Sequence, residues 1–204
     1  MRRFLRILML SLVTVLLGAM PGYADEIAAR IKEALQHYEN GELGEAVSVL
    51  NYAISQIQEK KTLVLKETLP APLPGWKAEE PSGDQVPMAF FGAGVTVSRH
   101  YYSEAGEKSV DIEIISDSPL LQSMLSFITN PALLAAQPGV KLLRINEHQA
   151  VQKFNSRDKE GEISIVIRSS MLVKVRGTGL DKIDEVLLYA KAIDYNALAK
   201  YVGR

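Results

Sequence analysis

"VKVRGTGLDKIDEVLLYAKAID", Val173 to Asp194, decides the fold. A β-like run meets Gly177-Thr178-Gly179, and a helix-like run follows at once. Strand, glycines and helix is also the order of a phosphate-binding turn. A dinucleotide fingerprint, however, needs a third glycine where Lys182 stands, and a Walker loop needs Gly-Lys-Ser/Thr. The glycines therefore read as the release of a last strand into a sharp turn. Asp181 is expected to cap the helix, with Asp184 near its positive end. Ile183, Val186, Leu187, Ala190 and Ile193 form its apolar stripe, and Asp194 restarts a final helix with Leu198 and Tyr201 inward.

Working outward, the strand that ends at Gly177 belongs to an antiparallel series. "GVTVSRHYYSE" alternates Val95, Val97, Arg99 and Tyr101 against Thr96, Ser98, His100 and Tyr102. "KSVDIEIISD" alternates Val110, Ile112 and Ile114 against Asp111 and Glu113, with a hairpin turn between the two runs. "HQAVQKFN", "EISIVIRS" and "MLVKVRG" predict three further strands. Hairpins with one charged face need cover on the other. Pro119 to Ala136 and Asp181 to about Val202 are the helical segments available for it.

Before the sheet, two amphipathic helices are predicted between Asp25 and Lys66. Ile27, Ile31, Ala34, Leu35 and Tyr38 recur at helical spacing in the first. Ala46, Val47, Leu50, Ala53, Ile54 and Ile57 do so in the second. Asn40-Gly41 stops the first helix, and the short connection makes the pair antiparallel. Gly41, Leu43, Ala46, Leu50 and Ala53 resemble the packing series of one tetratricopeptide (TPR) unit. Arg30, Glu33 and Gln58 depart from that family's pattern. Such repeats need about three units to bury a continuous core, so a single hairpin must pack on its own domain, a second copy or a partner. Prolines 70, 72, 74, 81 and 87 then make a stiff connector that contributes at most edge strands. Trp76, the only tryptophan, is expected to anchor the start of the second domain.

The order of elements from Leu73 to Tyr201, with the "VKVRGTGL…AKAID" ending, resembles the PsbP-like α/β/α sandwich. That resemblance implies a non-catalytic scaffold that binds protein or a small ligand. The expected fold class is α+β: an N-terminal α-helical hairpin, then an antiparallel β-sheet covered by helices. The expected organisation is a signal peptide (1–24), a TPR-like hairpin (25–66), a Pro-rich connector (67–88) and the α+β domain (89–202).

The signal-peptide reading rests on Arg2, Arg3 and Arg6, the apolar run Ile7 to Met20, and small residues before a cut after Ala24. The apolar run is shorter than the ~18–20 residues of a membrane span. Removing 24 residues takes away three arginines and no acid. This leaves 20 Lys+Arg against 24 Asp+Glu, a net charge of −4. Scattered, mildly acidic charge offers no footprint for nucleic acid. The absence of cysteine excludes disulfides, thiol catalysis and thiolate metal sites. The expected address is the periplasm, with no transmembrane anchor after processing.

No constellation of side chains specifies a reaction, and neither a cofactor nor a metal is expected. His37, His100 and His148 have no second ligand at metal spacing. Asp111 and Glu113, about 7 Å apart along one strand face, have a spacing that suits acid/base work on a sugar. Cross-strand pairing with Arg168, Lys174 and Arg176 explains them without catalysis. The most unusual stretch is the 23 uncharged residues between Asp117 and Lys141. Leu121, Met124, Leu125, Phe127, Ile128 and Leu134 give it more apolar surface than one sheet face buries. It is either a doubly covered core helix or a surface for a partner, lipid or second subunit. The expected function is binding and assembly through protein contacts, including self-association. Carriage of a small apolar ligand or lipid is the alternative, and a weak hydrolase built on Asp111 and Glu113 the lesser one.

Overall fold

The structure is a computed structural model, and it describes residues 23–85, 94–117, 121, 125, 139–168 and 170–201. Of the expected signal segment (1–24), residues 1–22 lie outside these residues, as does most of the uncharged stretch. The chain divides into two units, Met1–Ile57 and Gln58–Arg204. The boundary falls inside one continuous helix.

The first unit contains α1 (Tyr23–Glu39) and the first part of α2 (Leu43–Glu67). Gly41, at φ 82°, supplies the left-handed residue that turns the chain, and its N–H donates to the Tyr38 carbonyl at 3.0 Å. The Glu42 N–H donates to the His37 carbonyl at 2.8 Å, and α2 opens one residue later.

The second unit is an α+β domain. Its strands are β1 (Trp76–Ala78), β2 (Ser82–Gln85), β3 (Val95–Ser103), β4 (Ser109–Ser116), β5 (Val140–Ile145), β6 (His148–Asn155), β7 (Glu160–Ile167) and β8 (Met171–Thr178). Helices α3 (Asp184–Ala192) and α4 (Tyr195–Tyr201) follow. The eight strands form one antiparallel sheet in the order β1-β3-β4-β8-β7-β6-β5, with β2 also on β3. The meander β5 to β8 returns the chain so that β8 lies beside β4, with Ile112 opposite Val175.

Period-two alternation builds the core directly. Val97, Tyr101, Ile112, Ile114, Ile165 and Val175 are fully buried on one face. Val186, Tyr189 and Ala190 of α3, Leu198 of α4 and Leu65 of α2 belong to the same buried cluster. The last turns of α2 therefore belong to the sheet unit. On the opposite face, Leu121 and Leu125 are helical and bury Val166 and Leu172.

The connector contributes two short edge strands, β1 and β2, which pair in succession with β3. Trp76 is half-buried and meets the Tyr189 ring edge-on at 5.4 Å. The Tyr101 hydroxyl and the Arg99 guanidinium both donate to the Pro70 carbonyl, at 2.8 and 3.0 Å. The prolines thus carry no ladder of their own, and side chains from the sheet hold the connector in place.

Two local expectations are corrected. Asp181 does not cap α3: the helix starts at Asp184 with no side-chain cap, and Asp181 instead pairs with Lys159 at 2.9 Å. Strand β5 is additional to the predicted set. It joins β6 through a two-residue turn at Asn146 and Glu147, both at positive φ (45° and 68°). That geometry matches the right-handed strand twist, but glutamate is not a residue that announces it.

Candidate binding surface

The buried positions of the hairpin's two helices are mostly small residues. Ala34 of α1 and Ala46 and Ala53 of α2 are 2–4 % exposed, and Ile27 is also buried. The Arg30 guanidinium lies over the Tyr52 ring, 5.5 Å from its centroid, and pairs with Glu33 at 2.9 Å. His37 Nδ1 meets the Glu42 carboxylate at 2.5 Å across the turn. These contacts fix an antiparallel pairing in which Arg30 stands opposite Tyr52.

The large apolar side chains of the same helices are not covered. Ile31, Leu35 and Tyr38 on α1 and Leu43, Val47, Leu50 and Ile57 on α2 are 38–65 % exposed. Helical geometry places them together. At about 100° per residue, Ile31, Leu35 and Tyr38 lie within about 80° of Ile27, on the side toward which the helix winds. Leu43, Val47, Leu50 and Ile57 lie within about 100° of Ala46 in the same rotational sense. Because the helices run antiparallel, equal rotation on each points to the same side of the hairpin. Arg30, Glu33 and His37 on α1 and Glu45, Tyr52 and Gln56 on α2 rotate the other way. The hairpin is therefore amphipathic as a unit, with its ion pairs on one side and an apolar face on the other.

The residues singled out by the uncharged stretch behave differently where they are described. Leu121 and Leu125 are buried at 1 % and 4 % exposure, as core residues over Val166 and Leu172. Met124, Phe127, Ile128 and Leu134 lie outside the described residues.

The carboxylates of β4 sit in cross-strand pairs. Asp111 Oδ1 is 2.7 Å from His100 Nδ1, and Glu113 is 3.7 Å from Lys174 of β8. Both project from the face opposite the buried core. Neither acid lines any of three open clefts on the sheet unit. One, of about 340 Å³, is bordered by Lys153, Asp158, Glu160, Glu162 and Arg176. A second, of about 410 Å³, lies between the β5–β6 turn and the start of α4, where His148 stacks on Tyr195 at 5.3 Å. Burial holds the His148 pKa below the usual histidine value, and Arg144 and Arg168 reinforce this while Glu147 opposes it. The third is bordered by Lys108, Asp181, Lys182, Asp184, Glu185 and Leu188. Among the described residues, no group of three His, Asp or Glu side chains is arranged to hold a metal ion. Among them, too, no helix is long and apolar enough to cross a membrane.

Comparison of the chain with protein-family models, curated proteins and solved structures finds no match in any of the three. The sequence shows the stripes Ile31-Leu35-Tyr38 and Val47-Leu50-Ile57 and offers the hairpin face as one of two partner surfaces, although the candidate residues it names lie on the uncharged stretch. The signal for the hairpin was present. Alanines at 34, 46 and 53 suffice for the seam between two helices, which leaves the larger side chains in excess.

Proposed function

We propose that this is an exported, periplasmic, non-catalytic binding and assembly protein of a bacterial cell envelope, acting through protein–protein contacts. Under this reading the N-terminal segment is a cleaved signal peptide. The hairpin is a single TPR-like unit, and the sheet unit is a PsbP-like sandwich that carries it. One observation supports the reading above all others: seven large apolar side chains stand uncovered on one face of the hairpin. A contiguous apolar patch of that extent marks an interaction surface rather than a solvated one. The clefts, by contrast, are bordered mainly by charged and polar groups, which does not suit an apolar cargo.

The test is site-specific photo-crosslinking in the protein's own host. A photoreactive residue is placed at Val47 or Leu35 in the full chain, and the periplasmic fraction is recovered. The expected result is a discrete protein adduct from both positions and none from Glu160 on the sheet unit. A folded, exported chain that yields no protein adduct at either hairpin position would overturn the proposal.

A further inference from the structure

We infer that the apolar face of the hairpin is covered by the same face of a second copy, so that two hairpins close into a four-helix bundle. The inference rests on the binding reading above and names the occupant that reading leaves open.

Three observations carry it. The first is area: at 38–65 % exposure, the seven side chains present roughly 700 Å² of apolar surface, close to the ~800 Å² per partner of a standard interface. The second is composition. The stripes Ile31-Leu35-Tyr38 and Leu43-Val47-Leu50-Ile57 contain no charged residue, and the ion pairs of the hairpin, Arg30–Glu33 and His37–Glu42, involve positions rotated off that face. A two-fold axis through the patch therefore brings apolar surface against apolar surface and buries no unpaired charge.

The third is the shape of the problem posed by two helices. One hairpin has a single seam, already filled by Ala34, Ala46 and Ala53. A second stripe on each helix calls for further surface alongside. A second copy supplies two helices, of equal length and with matching stripes, and so closes a four-helix bundle around one core.

The processed chain purified from its host's periplasm is examined by sedimentation equilibrium, beside Leu35→Glu and Val47→Glu. Both positions are more than half exposed, so neither substitution disturbs the fold, and circular dichroism checks this. The expected result is a dimer for the native chain and at least a hundredfold weaker association for each variant. A native chain that stays monomeric at about 100 μM, where a specific micromolar dimer is assembled, would overturn the inference. So would a dimer unaffected by either charge, which would place its interface elsewhere. The crosslinked adduct at Val47 separates this inference from the broader one. A mass of twice the chain supports the second copy. An adduct with a different protein overturns it but leaves the binding function standing, whereas no protein adduct removes both.

Discussion

Gly161 and Gly177 stand directly opposite each other on β7 and β8, and together they open the sheet surface to the segment that leads into α3. A methyl group on Gly177 would lie 2.5 Å from a terminal carbon of Leu180 and 2.7 Å from a methyl of Val186. A methyl on Gly161 would collide with the terminal carbon of Ile183. The two glycines therefore act as a slot for side chains.

The slot makes the two positions unequal. Gly161→Ala meets the far end of a flexible side chain, which can move. Gly177→Ala meets β-branched Val186 as well as Leu180, inside a fully buried cluster. Gly177→Ala is expected to cost about 1–3 kcal/mol, and Gly161→Ala distinctly less. Urea unfolding of the two variants measures the difference, and equal losses would contradict the packing account.

Alkaline pH should weaken the sheet unit through Tyr101. Burial raises its phenol from the ordinary 10.0 to about 12, while its hydroxyl donates to the Pro70 carbonyl. Above pH 10 the unfolded chain releases this proton and the folded chain retains it. Stability is therefore complete below about pH 10 and declines as pH rises toward 12, by roughly 2 kcal/mol from this residue. Tyr101→Phe should flatten that part of a plot of unfolding midpoint against pH. Tyr189, Tyr195 and Tyr201 are also raised by burial and keep the remaining slope.

His148 acts at the other end of the pH range. Its pKa is held below 6.5, mainly by burial, so the unfolded chain takes up a proton before the folded chain does. Stability should fall as pH drops below 6.5. His148→Phe keeps an aromatic ring against Tyr195 and removes the titration. Its unfolding midpoint should change less between about pH 7.5 and pH 5 than that of the native chain.

Asp194 is the cap that Asp181 is not. Its carboxylate accepts from the Ala197 N–H at 3.0 Å at the start of α4, while its backbone N–H donates to the Thr68 carbonyl at the end of α2. Asp194→Ala is expected to cost about 0.5–2 kcal/mol, measured by thermal or urea unfolding. Asp194→Asn should recover most of that loss, because the amide oxygen still accepts the bond.

By itself the sequence determined the class of most elements and the apolar side of each. Val95-Val97 and Val110-Ile112-Ile114 alternate with period two, and Ile183-Val186-Leu187-Ala190 recurs at helical spacing. These periods are local properties of the backbone, so they are legible without any partner. What lay beyond local reading depended on residues far apart in the chain. The ladder partner of Gly161 is Gly177, sixteen residues on. Asp181 was expected to cap α3, but Lys159 on a loop distant in sequence holds its carboxylate instead. Strand β5 escaped because its turn uses Glu147 in a left-handed conformation, which tertiary pairing imposes against local preference. The candidate surface divided the same way. An apolar stripe reads identically whether it is covered or bare. Only the tertiary structure showed that Leu121 and Leu125 have the sheet above Val166 and Leu172 to bury them, whereas Ile31, Leu35, Val47 and Leu50 have alanines at their seam and an open side beyond it.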